Sequence, residues 1–310
     1  MSKPRLLLTG GSGMVGRNIL EHHRVSNWDV MAPSSKELDL TDALSVEKFL
    51  SKNKPDLVIH AAGQVGGIQA NMADPVGFLE RNTKMGLNTI MSSYQAGVCN
   101  FLNIASTCMY PRNAQNPLSE EMVLTGELEP TNEAYALSKI MATRLCQYIR
   151  KIDNRLQYKT IIPCNLFGRF DKFKPEQSHL IPAIIHKIHQ AKIFGETKVE
   201  IWGDGTARRE FMYTGDLADA ALRGAANISS LPDLMNCGLG HDYSINEYYQ
   251  FVSEAINWQC EFVHDLTKPV GMNQKLCSTK RQVAWGWSAP TPLKEAISST
   301  YEYYLKEVYQ

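Results

Sequence analysis

The sequence predicts an α/β protein: a doubly wound domain on a parallel sheet, followed by a smaller C-terminal α/β lobe. Three observations carry this. An apolar strand at the N-terminus, Arg5 to Leu8, runs through a glycine turn straight into a helical pattern. Short apolar runs then alternate with amphipathic helical stretches as far as Pro163. Beyond that point the alternation loosens. The first domain is therefore expected over 1–163 with a return near 210–240, and the lobe over 164–209 and 241–310.

Composition narrows the class. In 310 residues, Lys plus Arg equals Asp plus Glu at 32 each, so there is no net charge, and no long basic run offers a face for nucleic acid. The apolar segment after Met1 is too short for a signal-peptide core, and no apolar run approaches a membrane span. Seven cysteines without a Cys-x-x-Cys pair argue against a disulfide framework and a structural zinc, so no metal is expected and a reducing cytoplasm is.

The turn after the first strand reads Thr9-Gly10-Gly11-Ser12-Gly13-Met14-Val15-Gly16. Gly10 permits the tight turn, Gly13 lets backbone N–H groups approach a pyrophosphate, and Gly16 allows helix to pack on strand. With Ser12, Met14 and Val15 they form the expected cofactor cradle. Asp29 to Ala32 is the second strand, and after it come Ser34, Ser35 and Lys36, where an NAD site often places an acid. Two hydroxyls and a lysine suit a 2′-phosphate better, which points to NADP(H). Asp39, followed by Leu40, either faces the adenine or begins a turn.

Asp56 to His60 is the third strand, and Ala61, Ala62 and Gly63 follow as small residues where backbone passes close to a cofactor. His60 reads as a packing or turn residue. Asp74-Pro75 caps a long helix in which Leu79, Thr83, Leu87, Ile90, Met91 and Tyr94 keep the period, and Gly97 ends it. Asn100 to Ala105 is the fourth strand. Ser106 and Cys108 lie just past its carboxyl end, where parallel sheets hold ligands, and continued extension would turn both to one side. Cys108 is otherwise a small buried hydrophobe.

The next helix opens Glu133-Ala-Tyr135-Ala-Leu-Ser-Lys139, with Thr131 or Asn132 available as its cap. Residues four apart share a helix face, so an ammonium and a phenol stand over a common ligand. A fixed positive charge there is expected to lower the Tyr135 pKa and make it an acid near neutrality.

Tyr158 to Pro163 is a further strand, leading to Asn165 and Leu166. In the remainder, His179 to His189 looks helical, Val199 to Trp202 is a short strand, Asp216 opens an alanine-rich helix, and Ile245 to Ile256 is amphipathic. A last helix runs from Pro292 with Thr291 as cap, its face formed by Leu293, Ala296, Ile297, Tyr301, Tyr304 and Leu305.

Together the glycine turn, Ser106, Tyr135 and Lys139 resemble the extended short-chain dehydrogenase/reductase family, whose core is a Rossmann-type sheet. The segments Gly13-Met-Val-Gly16, Gln64-Val-Gly-Gly-Ile68, Ser106-Thr-Cys-Met-Tyr-Pro111, Leu128-Glu-Pro-Thr-Asn-Glu133, Ser178-His-Leu-Ile-Pro182, Trp202-Gly and Arg209-Glu-Phe211 are similar to its GDP-L-fucose synthase branch. They span most of the chain. The resemblance implies an NADP-dependent 3,5-epimerase and 4-reductase that turns GDP-4-keto-6-deoxymannose into GDP-L-fucose for polysaccharide biosynthesis.

The resemblance also implies roles. Ser106 and Tyr135 bind the C4 oxygen, Lys139 holds the cofactor ribose, and Cys108 and His179 act as acid and base on opposite ring faces, chemistry that both residue types suit. Pro163, Asn165, Leu166 and His179 are implied to touch the cofactor. Ser106, Thr107, Cys108, Asn165, Lys187, Trp202, Arg209 and Lys275 are implied to touch the nucleotide sugar within the substrate-binding lobe. A homodimer through two helices of each subunit is the implied assembly.

The sequence departs from that branch at four places. Ser12 and Ser35 stand where arginines grip the 2′-phosphate, Lys187 replaces an arginine and loses its bidentate geometry, and Thr107 replaces a serine. The departures leave room for a 4-ketoreductase on a related GDP-4-keto-deoxyhexose or GDP-4-keto-6-deoxyheptose, with little or no epimerisation. A non-catalytic dinucleotide sensor is the reading from another class, and it has no need of Tyr135.

Overall fold

The computed structural model describes residues 2–174, 178–268 and 272–309. The chain begins β1 (Arg5–Thr9), α1 (Met14–Glu21), β2 (Asp29–Met31), α2 (Ala43–Asn53) and β3 (Leu57–His60). It continues α3 (Ile68–Ala73), α4 (Pro75–Gln95), β4 (Asn100–Ile104), α5 (Glu133–Ile152), β5 (Gln157–Pro163) and β6 (Asn165–Phe167). Then follow α6 (Leu180–Phe194), β7 (Lys198–Trp202), β8 (Arg208–Arg209), β9 (Phe211–Tyr213), α7 (Thr214–Ala226) and β10 (Leu234–Cys237). The tail supplies β11 (Tyr243–Ser244), α8 (Ile245–Ile256), β12 (Glu261–Asp265), β13 (Gln274–Lys275), α9 (Lys280–Ala284) and α10 (Leu293–Glu307).

Six parallel strands form the main sheet in the order β10-β5-β4-β3-β1-β2. The chain winds outward from β1 to β2, then reverses to β3 on the other side. That reversal opens a crevice beyond the carboxyl ends of β1 and β3, where such sheets take their ligands. The strands read as unbroken apolar runs because both faces are covered. Leu6, Leu8, Leu57, Ile59, Leu102 and Ile104 face Ile19 of α1 and Leu217 and Ala221 of α7. Leu7, Val58 and Phe101 face the opposite way, against Val46, Ile90, Cys146 and Ile149 of α2, α4 and α5. Each such side chain contributes roughly 1.5–3 kcal/mol by leaving water.

A separate core lies in the second half. Ile181, Ile184, Ile185 and Ile188 of α6 pack with Tyr248 and Val252 of α8, Ile297 and Tyr304 of α10, and Val199 and Ile201 of β7. Small sheets frame it: β7 pairs parallel with β12, and β8 lies between antiparallel β11 and parallel β13. β6 pairs with β9, between the two cores.

Three details differ from the sequence reading. Thr291 does not cap α10; its backbone N–H and hydroxyl both donate to Asp216, and Pro292 takes the cap position. A buried carboxylate on α7 is a stronger acceptor than the helix end is a donor. The buried face of α10 is Ala296, Ile297, Thr300 and Tyr304, while Leu305 is exposed. On α4 the buried face includes Phe78, Asn82, Gly86 and Ile90, so Leu79 and Leu87 face outward. With Val76 they make an exposed apolar stripe, and Leu137, Tyr148 and Ile152 make another along α5.

Candidate active site

Backbone geometry explains the glycine turn. Gly10 has φ +75°, and a Cβ there would come 2.7 Å from the backbone of Ala62, so the turn lies directly on the segment after β3. A Cβ at Gly16 would come 2.2 Å from the Gly10 carbonyl oxygen, which lets α1 start against the turn. At Gly13 it would meet only that oxygen, at 3.4 Å, so the N-terminus of α1 stays open in front. Ser12 is exposed beside it and Met14 and Val15 are half-buried in the first turn. This bare backbone at a helix start fits a pyrophosphate. Beneath it Thr9 Oγ1 and His60 Nδ1 bond at 2.9 Å, making His60 a packing residue.

At the far end of the groove, Ser34, Ser35 and Lys36 are exposed. Ser34 donates from its N–H and its hydroxyl to Glu37 Oε2, each at 2.8 Å, and these bonds hold the Glu37 carboxyl below its usual range. An acid therefore stands at this position after all, folded back from two residues beyond Ser35. Asp39 Oδ1 accepts from the Thr41 N–H at 2.8 Å and hydroxyl at 2.7 Å, which closes a turn and leaves Leu40 buried behind it.

The centre of the site is built on β4 and α5. After β4 the chain does not stay extended: Thr107–Met109 makes a single 3₁₀ turn, and Ser106 Oγ caps it by accepting from the Cys108 N–H at 3.3 Å. The cap brings Ser106 and Cys108 together, with Thr107 buried between them. Asn132 occupies the cap position of α5, yet its amide does not cap the helix. Its Nδ2 donates instead to Cys108 Sγ at 3.3 Å.

One turn on, Tyr135 and Lys139 are both buried, 9% and 7% exposed. Lys139 Nζ donates to the Ile104 carbonyl at 3.1 Å and stands 5.7 Å from the Tyr135 ring centre. A Cβ at Gly63 would lie 3.6 Å from that ammonium, so Gly63 leaves the backbone bare beside Lys139. Burial pushes the Lys139 ammonium down to about 8. The expected lowering of Tyr135 is reversed: burial, with the charge of Cys108 second, raises its phenol above the ordinary value. Desolvation outweighs a cation whose proton is already shared with a carbonyl. Tyr135 is a firmly protonated donor.

His179 stands half-buried at the N-cap position of α6, its side chain making no capping bond. Burial first, and the charge of Lys172 second, lower its pKa, so the imidazole is neutral at neutral pH. Lys172 Nζ also reaches the Val65 carbonyl at 3.5 Å, tying this loop to the segment after β3. Pro163 ends β5, and Asn165 and Leu166 lie in β6. Asn165 Nδ2 donates to the Glu210 carbonyl at 2.9 Å.

Of the eight residues expected at the nucleotide sugar, the last four fall into two pairs. Lys275 of β13 stands in register beside Arg209 of β8, whose guanidinium burial brings below its ordinary pKa. Lys187 lies 5.5 Å from the Trp202 ring and donates to the Glu200 carbonyl at 3.2 Å, its ammonium lowered by burial. Between β8 and β9, the buried Glu210 accepts from the N–H groups of Leu239 at 2.6 Å, Gly240 at 2.9 Å and Cys277 at 2.8 Å.

Asn132, Glu37, Lys172 and Glu210 also shape this site. Asn132 and Glu210 lie inside segments that carry the family resemblance, where the sequence gives them no role of their own beyond a helix cap at Asn132, and Glu37 and Lys172 read only as charges. Among the described residues no group of three His, Cys, Asp or Glu side chains is placed to hold a metal ion.

The pattern described as the NAD dependent epimerase/dehydratase family matches residues 6–238. A GDP-L-colitose synthase of Yersinia pseudotuberculosis is 48% identical over 303 residues, 98% of this chain and 98% of that one. A GDP-L-fucose synthase of Azorhizobium caulinodans is 48% identical over 308 residues, 99% of this chain and 98% of that one. Among solved structures, a GDP-mannoheptose C4 reductase of Campylobacter jejuni with NADP bound superposes with a TM-score of 0.89 at 29% identity, over 99% of this chain and 100% of the other.

Proposed function

The chain belongs to the NAD dependent epimerase/dehydratase family, and from that membership we propose that it is an NADP-dependent oxidoreductase acting on a GDP-4-keto-6-deoxy sugar. It epimerises GDP-4-keto-6-deoxymannose at C3 and C5 and reduces the C4 ketone, giving GDP-L-fucose. The observation that carries the reading is the cluster of Ser106, Cys108, Tyr135 and Lys139 at the carboxyl end of β4, joined to full-length similarity to a fucose synthase.

The ketone acidifies the protons on C3 and C5. Removing one leaves an enolate whose oxygen takes hydrogen bonds from Ser106 and the protonated phenol of Tyr135. Cys108 and His179 exchange protons with the two faces of the ring. His179, held neutral by burial and Lys172, keeps one lone pair and one N–H for this work. NADPH, when bound, supplies the hydride for C4. Tyr135 gives its proton to the C4 oxygen, and Lys139 and the glycine turn hold the cofactor. Ser34, Ser35 and Lys36 face its 2′-phosphate. Arg209 and Lys275 take the diphosphate, while Trp202 and Lys187 border the nucleotide; they stand on β8, β13, β7 and α6, the elements around the second core, which serves as the substrate lobe.

The equal identity to a colitose synthase and the likeness to a C4 reductase favour a second reading of the sugar: a related GDP-4-keto-deoxyhexose or heptose with fewer epimerisations. NMR of the product separates the two. GDP-4-keto-6-deoxymannose with NADPH in deuterated water should give GDP-L-fucose deuterated at C3 and C5. A product of unchanged ring configuration establishes the simple reductase.

The exposed stripes on α4 and α5 are adjacent, since these two helices pack together, and they suit a homodimer. Seven free cysteines suit the reducing cytoplasm as its compartment. Among the described residues no helix is long and apolar enough to cross a membrane.

A further inference from the structure

The cap position of α5 is filled by a side chain that does not cap. Asn132 turns its Nδ2–H group to Cys108 Sγ at 3.3 Å, and its Oδ1 is buried with no hydrogen-bond partner among the described residues. Both halves of the amide are unusual. A helix start gives up a capping bond worth about 1 kcal/mol, and a buried carbonyl oxygen without a donor costs about 1–3 kcal/mol. A contact that weakens the fold on two counts has its use elsewhere.

We propose that Asn132 is the positioning residue of Cys108, and that its free Oδ1 takes a hydroxyl hydrogen of the substrate's sugar ring. The proposal rests on the reading of Cys108 as one of the two epimerisation groups. An amide N–H directed at sulfur fixes the rotamer of Cys108, and a hydrogen bond to sulfur strengthens as charge builds there during proton transfer. The amide plane then carries Oδ1 on the same side chain, so sugar and sulfur are held by one rigid group. Ser106 supports the arrangement from the backbone side by accepting from the Cys108 N–H. Sulfur is fixed at both ends, by its own backbone and by the amide, as a group exchanging protons with a ring carbon must be. The charged group facing it is the Lys139 ammonium, and Tyr135 beside it keeps its proton and is neutral.

Two variants test this. Asn132→Ser puts a good capping residue at the helix start but is too short to reach sulfur; Asn132→Asp keeps the shape and puts a negative charge beside it. Alkylation of Cys108 by iodoacetamide, followed on its own peptide by mass spectrometry, reports on the sulfur without any substrate. At neutral pH it should fall about tenfold in Asn132→Ser and further in Asn132→Asp, which sets a negative charge beside the sulfur. Solvent deuterium exchange into GDP-4-keto-6-deoxymannose without NADPH should fall by a similar factor, and the KM for exchange should rise in Asn132→Ser.

Reduction of an already epimerised ketosugar should lose much less than exchange does in both variants. NADPH binding, followed by fluorescence, confirms that they are folded. Unchanged alkylation in folded Asn132→Ser and Asn132→Asp overturns the proposal. If Cys108→Ser exchanges deuterium as fast as the parent, the epimerase reading of Cys108 fails, and the alkylation profile still decides whether Asn132 governs the sulfur.

Discussion

Lys139 holds its ammonium 5.7 Å from the centre of the Tyr135 ring, one helical turn away on the same face of α5. Both groups are out of water, and burial acts on them in opposite directions. It presses the phenol to keep its proton and the ammonium to release one. At neutral pH the pair is therefore a neutral acid beside a cation.

Replacing Tyr135 by Phe removes the acid and leaves the ring. NADPH oxidation should fall about 10²–10⁴-fold, the usual worth of a positioned proton donor. Deuterium exchange at C3 and C5 should fall much less, because Ser106 still donates to the enolate oxygen. Oxidation that survives the substitution would revive the non-catalytic, cofactor-sensing reading.

Lys139 is cationic below about pH 8 and neutral above it. As pH rises through that value the groove loses its ammonium, so NADPH binding should weaken, and it should recover fully on return to pH 7. The Lys139→Met protein should bind weakly at both ends with no such step. Fluorescence titration from pH 6.5 to 9.5 reads the difference.

Glu37 places a carboxylate on Ser34, next to where a 2′-phosphate is expected. Glu37→Gln removes that charge and frees part of the hydrogen bonding of Ser34. Affinity for NADPH should rise about three- to tenfold with that for NADH nearly unchanged, and a gain that shrinks in high salt would mark it as electrostatic. Equal gains for both cofactors would exclude a role at the phosphate.

His60 links stability to acid. Burial first, and the Lys139 charge second, bring its pKa from 6.5 down to about 3. Above pH 6.5 the imidazole is neutral in both folded and unfolded chains, and its contribution is complete. As pH falls below 6.5 the unfolded chain takes the proton while the folded one refuses it, so stability is lost at ~1.4 kcal/mol per pH unit, about 5 kcal/mol by pH 3. His60→Gln should lower the urea midpoint at pH 7 through its bond to Thr9, yet flatten the decline between pH 6.5 and 4.5. An unchanged slope would place the acid sensitivity elsewhere.

The parts of this fold that the sequence makes legible are those governed by neighbours in the chain. Leu6 to Leu8 and Leu57 to Ile59 announce buried strands, Gly10 and Gly16 announce the turn, and Tyr135 and Lys139 announce a shared helix face, because each is a matter of local period or of a missing side chain. Ser106 and Cys108 were placed correctly side by side for the wrong reason: a cap joins them, not a pleat. Asn132 and Thr291 lie beyond the reach of the sequence: each has a helix start beside it to cap and takes a distant partner instead, and that choice depends on which acceptor the fold brings near. The direction of the Tyr135 shift failed likewise, since burial is a property of the packed chain.

The buried carboxylate of Glu210 gathers three N–H groups from two distant stretches, one just beyond β10 in the main sheet and one just beyond β13 in the lobe. Its own backbone carbonyl is held by Asn165. One side chain thus works as a fastener between these stretches, beside the bonds of Thr291 to Asp216. The two cores should accordingly melt in a single event, and a chain carrying Glu210→Ala should come apart in two.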